Sequence, residues 1–500
     1  MMTTTNKLKK LAGQTAIYGL SSILGRFLNY LLVPLHTLRY TTDQYGVITE
    51  MYAYVAFLVV LLTYGMETTF FRFLNKKGID GGSVYATVLY SILSTSVLFI
   101  AVALFFNQPI ADWLQYPDHS EYVVWFAIIV GLDAISSIPL AKLRSQNRAV
   151  RFASVNIVSI LVNIGLNVFF VYYCISAYAA GEHNWFIDNL YNPEIGVGYV
   201  FISNLISGIV KFLLVLPQIL GDKAKASYPL LRQMLLYASP LLFAGLAGIV
   251  NETLDRVILK RLLFEEIGTT AALSQLGIYG ACYKISIIIS LFIQAFRYAA
   301  EPFFFSQSTD KDSGTIYSVV MNLFVAVCGI IFLGVMYYLD VLKYFIPNEA
   351  YWEGLKIVPI LLMANICLGI YYNQSIWYKL SDKTIMGAYI AVFGAIITIV
   401  FNLLLVPSLG YLGSAWTTLI CYGSMVLVSF WLGKKYYPIP YDVPKIILNI
   451  SIFLGLWVLS MVLETGNDYI DYTLKTSLLI AYIIWNVWKE GLLKRLNFGS

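Results

Sequence analysis

Long apolar segments recur along this chain, separated by short polar connections. A bilayer core needs about 20 consecutive, mostly apolar residues to be crossed by one helix. Windows of that length predict fourteen spans, near residues 12–35, 47–71, 83–106, 121–143, 152–173, 195–218, 230–262, 273–297, 315–338, 355–378, 385–407, 412–432, 444–463 and 473–488. The pattern therefore predicts an all-α polytopic membrane protein of about 14 transmembrane helices.

Composition supports lipid as the main solvent. The chain is 12% charged and 59% hydrophobic, with a mean hydropathy of +0.72, whereas a soluble domain is about 25% charged. This balance excludes a soluble enzyme and a nucleic-acid-binding protein. The five cysteines lie mostly inside apolar runs and show no metal-ligand spacing, so the sequence predicts neither a metal site nor a cofactor.

The distribution of Lys and Arg sets the predicted orientation, because cytoplasmic loops are enriched in both residues. With the N-terminus inside, the inside segments hold 23 Lys and Arg and the outside segments hold 6, including Lys260. We therefore expect a multi-pass protein of the bacterial inner membrane with cytoplasmic N- and C-termini.

The two halves of the chain share an internal repeat. The pattern Tyr45-Gly46…Tyr64…Glu67…Phe70-Phe71 recurs 234 residues later as Tyr279-Gly280…Tyr298…Glu301…Phe304-Phe305. Because an even number of spans separates the copies, they share one orientation, as in parallel transporter repeats. The predicted domains are an N-terminal six-helix lobe (1–220), a cytoplasmic linker (221–229), a C-terminal six-helix lobe (230–433), and two added helices with a cytoplasmic tail (434–500).

These features give the chain a resemblance to a known superfamily. The 6 + 6 + 2 layout, the Tyr-Gly that opens spans two and eight, the run Ala300-Glu301-Pro302-Phe303-Phe304 and the pattern Asn402…Pro407…Gly410…Gly413 carry it. The chain resembles the multidrug/oligosaccharidyl-lipid/polysaccharide exporter superfamily and, within it, the polysaccharide transporter family of O-antigen-type flippases. The resemblance implies two lobes that alternate between inward- and outward-open states and export an oligosaccharide on a polyprenyl pyrophosphate carrier.

Three basic residues within the spans are candidates for a cationic cavity that binds substrate: Arg26, Arg256 and Lys284. A charge at the bilayer centre costs about 2.5–3.5 kcal/mol on insertion scales, so it usually faces a cavity or a partner. Arg26 lies on a polar stripe along one face of span one. The alternative for Arg26 is hydrogen bonding between helices, and the alternative for Lys284 is extension to the membrane surface.

Five acids are candidates for a gate or an ion-coupling group: Glu67, Glu301, Asp133, Glu252 and Asp255. The first two occupy matched repeat positions near the predicted inner ends of spans two and eight, with pairing to nearby Arg72 or Arg297 as the alternative. Asp133 stands alone in span four, with hydrogen bonding to Ser136 or Ser137 as its alternative role. Glu252 can instead pair with Arg256 four residues later on the same helix face.

The leading functional hypothesis is a flippase that moves lipid-linked oligosaccharides for cell-surface polysaccharide biosynthesis. Its candidate partners are that substrate, membrane lipids, a coupling cation (H⁺ or Na⁺) and polysaccharide assembly proteins. A cation-coupled multidrug-type exporter of the same fold is the alternative, and a membrane enzyme of polysaccharide assembly is a third hypothesis. The sequence shows no phosphate-binding loop and predicts no catalytic residue.

Overall fold

The computed structural model describes residues 24–221, 224–307 and 312–489, which are almost entirely helical and contain no strand. Residues 24–30 are helical, and the major helices that follow are α1 (Leu32–Arg39), α2 (Thr42–Leu74), α3 (Gly81–Phe105), α4 (Ser120–Ser145), α5 (Ala149–Ala179), α6 (Gly198–Leu220), α7 (Tyr228–Ile267), α8 (Thr269–Gln307), α9 (Ser313–Tyr337), α10 (Glu349–Leu380), α11 (Thr384–Leu409), α12 (Tyr411–Tyr436), α13 (Val443–Val462) and α14 (Asp468–Lys489).

Within the described residues, the twelve helices α2 to α13 are long and apolar enough to cross a membrane. Each corresponds to one of the predicted spans two to thirteen, which confirms the all-α polytopic fold class. Most of the first predicted span lies outside the described residues. The fourteenth falls within α14, which is helical but is not one of these twelve.

Helices α7 and α8 are consecutive and unusually long. They contain 40 and 39 residues, so each is about 60 Å long and exceeds a hydrocarbon core of about 30 Å. The single residue between them, Gly268, has φ +80° and ψ 166°. Because L-residues rarely adopt that conformation, glycine is what permits so abrupt a connection.

Two helices depart from regular geometry. Helix α2 is interrupted at Tyr64 and Gly65, which both lie in the left-handed region at φ 33° and φ 72°. Helix α5 contains a π-helical segment, Val168–Cys174, directly after Asn167. The buried Asn167 lies 2.8 Å from the Nε2 atom of His36 in α1. Single-turn π segments often mark functional sites.

The chain divides into two compact units, Met1–Gly280 and Ala281–Ser500. The first unit has a core built mainly from α2, α3, α4 and the start of α7, with Val84, Val130 and Met234 fully buried. The second contains an apolar cluster on α10 and α12 around Trp377 and Cys421. The lobe boundary at 221–229 stays a prediction.

Candidate functional site

A fully buried ion pair joins α2 to α7 in the first unit. The Nζ atom of Lys260 lies 2.7 Å from Oε2 of Glu50, and neither side chain has exposed surface. Lys260 also donates to the carbonyl oxygen of Leu114 at 3.0 Å, and the Tyr116 hydroxyl donates to the Glu50 carboxylate at 2.5 Å. The Lys260 ammonium lies 4.1 Å from the centre of the Tyr116 ring. Both charges are therefore neutralised and hydrogen-bonded inside protein.

The sequence counted Lys260 among the residues of the outside segments and indicated no partner for it. In the structure, the segment around Leu114 covers both Lys260 and Glu50. Burial, reinforced by the adjacent Glu50 carboxylate, raises the pKa of Tyr116 well above its ordinary value, so the phenol keeps the proton that it donates to Glu50.

Beside this pair, the N-terminal ends of α2 and α8 touch backbone to backbone. A Cβ atom on Gly46 would lie 2.0 Å from the carbonyl oxygen of Leu273. A Cβ atom on Gly277 would lie 1.8 Å from the carbonyl oxygen of Thr42, whose hydroxyl is 2.6 Å from that of Ser274. Any larger residue at either glycine would force the helices apart, as at small-residue contacts in other membrane proteins.

The tyrosine of the second Tyr-Gly copy extends the contact to α7. The Tyr279 hydroxyl donates to Oδ2 of the buried Asp255 at 2.5 Å, so this candidate acid is a hydrogen-bond acceptor in the closed helix assembly. Its neighbour Glu252 is exposed, and Arg256 donates to the Glu252 backbone carbonyl at 3.0 Å.

We call the two features together the outer closure: the cluster of Glu50, Tyr116 and Lys260, and the α2–α8 crossing at Gly46 and Gly277. All of it lies within the first compact unit, and under the predicted topology it lies near the outer ends of the helices. The sequence repeat assigns α2 to the first half of the chain and both α7 and α8 to the second. The outer closure therefore joins elements from the two repeat halves.

A second ion pair lies at mid-depth between α4 and α6. Asp133 and Lys211 are each thirteen residues from the first residue of their helix, and Nζ lies 2.7 Å from Oδ1. Asp133 is a sequence-predicted candidate for ion coupling, with hydrogen bonding to Ser136 or Ser137 as the alternative. The structure pairs it with the opposite charge of Lys211 on the facing helix, and its role in coupling stays a prediction. The side chain of Asp133 is 30% exposed and that of Lys211 is 24% exposed, so the pair is only partly buried.

A third feature repeats in both compact units, near the predicted inner helix ends. In the first unit, Arg144 of α4 forms an ion pair with Glu67 of α2. In the second, Lys379 of α10 forms an ion pair with Glu301 of α8. The acids are 234 residues apart and the bases 235, so both partners follow the internal repeat. The sequence analysis identified the acids but missed their partners, although the matching offset was present in the sequence.

The three predicted cationic residues occupy different surroundings. Arg26 lies on the exposed side of helical residues 24–30, whereas Arg256 in α7 and Lys284 in α8 are half-buried. The structure thus gives each a position, and the predicted cationic cavity stays a prediction. Among the described residues, no group of three or more His, Cys, Asp or Glu side chains could hold a metal ion.

Comparison with known proteins gives one family and one fold. The family model described as polysaccharide biosynthesis protein matches residues 11–308. The chain is similar to a structure of the lipid II flippase MurJ in an inward closed conformation, with 13% identity, a TM-score of 0.73, and coverage of 95% of this chain and 99% of that one. It is also similar to an inward-facing multidrug resistance MATE transporter, with 13% identity, a TM-score of 0.61, and coverage of 84% and 94%. No curated protein matches the chain.

Proposed function

Because this chain belongs to the polysaccharide biosynthesis protein family, we propose that it is a flippase for polyprenyl-pyrophosphate-linked oligosaccharides. It carries them from the cytoplasmic to the outer leaflet by alternating access, for cell-surface polysaccharide biosynthesis. The multi-pass helical fold, shared with structures of a lipid flippase and of multidrug exporters, supports transport rather than catalysis.

The observation that carries this proposal is the outer closure. A rigid membrane scaffold has no need for a buried ion pair that links two sequence repeats, because apolar packing of the same volume is often as stable. A contact that must form and break benefits from directional groups, since charges and hydrogen bonds specify one closed geometry. Glu50 and Lys260 would separate when the outer end opens, and water would then solvate both.

Charge also favours the proposed direction. A pyrophosphate is an anion, and its outward movement down an inside-negative potential gains about 2.3 kcal/mol per charge per 100 mV. Arg26, Arg256 and Lys284 are the proposed contacts for this group, because a guanidinium can bind phosphate oxygens in a bidentate manner. The proposed coupling cation, H⁺ or Na⁺, would bind at Asp133, or at Glu67 and Glu301, each of which forms an ion pair with a base of its own unit.

The proposed topology places both termini in the cytoplasm of a bacterial cell, with the protein in the inner membrane. Single cysteines at Glu182 and Lys435 test it with an impermeant thiol reagent applied to whole cells. We expect labelling at position 182 only; labelling at 435 in intact cells would contradict the orientation.

Two experiments test the function. Deletion of the gene should cause one lipid-linked oligosaccharide to accumulate on the cytoplasmic side.

In a cysteine-free background, oxidation of the double variant Thr42→Cys/Ser274→Cys should stop export, and reduction should restore it. Each single-cysteine variant is the control, because it cannot form the crosslink. Normal glycan export in the deletion strain would refute the flippase, and full activity of the crosslinked protein would refute gating at this contact.

The alternative, a cation-coupled multidrug-type exporter, rests on the MATE fold. It predicts that the deletion strain becomes sensitive to cationic drugs and that its lipid-linked glycans stay unchanged, so the same strain discriminates between the two functions.

A further inference from the structure

A cleft lies in the first unit, lined by residues of α5, of α6 and of the turn before α5. Its volume is about 740 Å³, within the range of small-molecule sites. Its lining divides into a polar group and an apolar group, consisting of Asn147, Arg148, Arg151 and Ser154 on the one side and Ala149, Val150, Val155, Val158 and Leu214 on the other.

The two helices are fixed together deeper in the membrane than the cleft. The hydroxyls of Ser159 and Ser207 lie 2.8 Å apart in buried surroundings, below the cleft. Of the lining residues, Val150 is 72% exposed and Val158 is 41% exposed. Apolar side chains this exposed on a transmembrane surface face lipid, so the cleft opens laterally to the membrane.

The two arginines of the cleft lie at the N-terminal end of α5, where positive charge is electrostatically unfavourable. Arg148 is the N-cap residue of α5, and Arg151 lies in its first turn, which contains no acidic residue. The N-terminal end of a helix carries partial positive charge, so cations there are unfavourable and anions favourable. Within the part of the chain that the structure describes, neither arginine forms an ion pair; Arg151 Nε lies 3.3 Å from the side-chain amide of Gln218, whose oxygen can accept from it when the amide is turned toward Arg151. An anion in the cleft would be stabilised by both guanidinium groups.

We propose that this cleft binds an anionic phospholipid of the inner leaflet. The phosphate lies against Arg148 and Arg151, and an acyl chain follows the apolar wall formed by Val155, Val158 and Leu214. The vertical order of the lining supports this occupant, because the cations lie toward the predicted membrane surface and the apolar side chains lie deeper. A free phosphate would use only the polar half of the cleft.

Native mass spectrometry of the full-length, detergent-purified protein with phosphatidylglycerol tests the proposal. Loss of two arginines at about 1 kcal/mol each predicts that Arg148→Ala/Arg151→Ala retains this lipid about 30-fold less well. The matched control Lys225→Ala/Arg232→Ala removes two exposed cations outside the cleft and should retain it as the wild type does. Equal losses in both variants would show an effect of net charge alone and overturn the site.

Further arms identify the ligand. Phosphatidylcholine should bind wild type less well than phosphatidylglycerol, and excess inorganic pyrophosphate should not displace the lipid. Val158→Trp fills the apolar half without changing charge and should also weaken phosphatidylglycerol retention. Displacement by pyrophosphate would show a free-anion site, and unchanged retention in Val158→Trp would exclude the cleft; either result overturns the proposal. The Val158 variant decides the matter even if the arginine variant does not accumulate.

Discussion

Replacement of Lys260 by methionine is the sharpest perturbation of the outer closure. Methionine preserves much of the length and apolar volume of the side chain but removes the charge 2.7 Å from Glu50. The Glu50 carboxylate keeps the hydrogen bonds from Tyr116 and Tyr54 and loses its only ion-pair partner among the described residues. Removal of one partner from a buried pair costs about 3–5 kcal/mol.

That cost falls mainly on the closed state, because water can solvate Glu50 once the outer end is open. A difference of 3–5 kcal/mol shifts the equilibrium toward opening by about 10² to 10⁴-fold. A cysteine at Ser274, which contacts Thr42 in the closed crossing, should then react faster with an impermeant thiol reagent in whole cells. Export should fall because the protein spends less time open to the cytoplasm.

Two variants serve as controls. Glu50→Gln/Lys260→Met removes both charges and should restore slow labelling, because no uncompensated charge remains buried. Lys343→Met disrupts a pair with Asp340, whose side chain is 65% exposed, at a separation of 3.9 Å, and should change little, since pairs open to solvent contribute about 0–1 kcal/mol. Unchanged labelling in Lys260→Met, or faster labelling in the double variant than in the single, would refute the reasoning.

Three other outcomes are expected. Arg26→Ala should abolish glycan export while the protein still accumulates, and Arg26→Lys should retain part of the activity, because charge survives without the bidentate geometry; normal export in Arg26→Ala would remove Arg26 from the substrate path. The charge swap Glu301→Lys/Lys379→Glu should recover export lost in either single variant, and a swap no better than the singles would show that pairing is not what matters. Asp80 caps α3 by accepting from the Ser83 amide at 2.7 Å, which lowers its pKa; its contribution is present above the unfolded value of about 3.9 and is lost as pH falls through the lower folded value. Hydrogen exchange at the start of α3 should therefore be faster in Asp80→Ala than in wild type at pH 7 and similar at very low pH.

Most of the helical architecture could be predicted because lipid imposes a simple rule on sequence. Apolar length alone located spans two to thirteen, and the repeated motifs indicated the family that the comparisons confirmed. The Tyr-Gly pattern also identified α2 and α8 as equivalent helices. Their mutual contact at Gly46 and Gly277 was not predicted, because a sequence repeat shows that two helices occupy equivalent positions and does not show that they touch.

The ion pairs could not be located from hydropathy. Lys260 lies 210 residues after Glu50, and its position near a span end is equally typical of a solvated loop lysine. Burial of Lys260 depends on the segment around Leu114, which folds over it through tertiary contacts. Lys211 and Asp133 present the same difficulty, since hydropathy does not show which helix faces either of them. The pairs of Glu67 with Arg144 and of Glu301 with Lys379 were easier to predict, because the two bases recur at nearly the same offset as the two acids.

The interruption of α2 at Tyr64 and Gly65 means that the two halves of this protein do not have the same mechanics. Replacement of Gly65 by a residue with a side chain would cause strain, because its φ is +72° and a Cβ there would lie 2.9 Å from the side chain of Leu241. The nine residues Met66–Leu74, which include Glu67, therefore form a short helical segment that follows a hinge at Gly65. The equivalent stretch of α8 continues as helix to Gln307 without a residue in the left-handed region. The inner end of α2 can therefore turn about Tyr64 and Gly65, and the matched stretch of α8 has no such interruption.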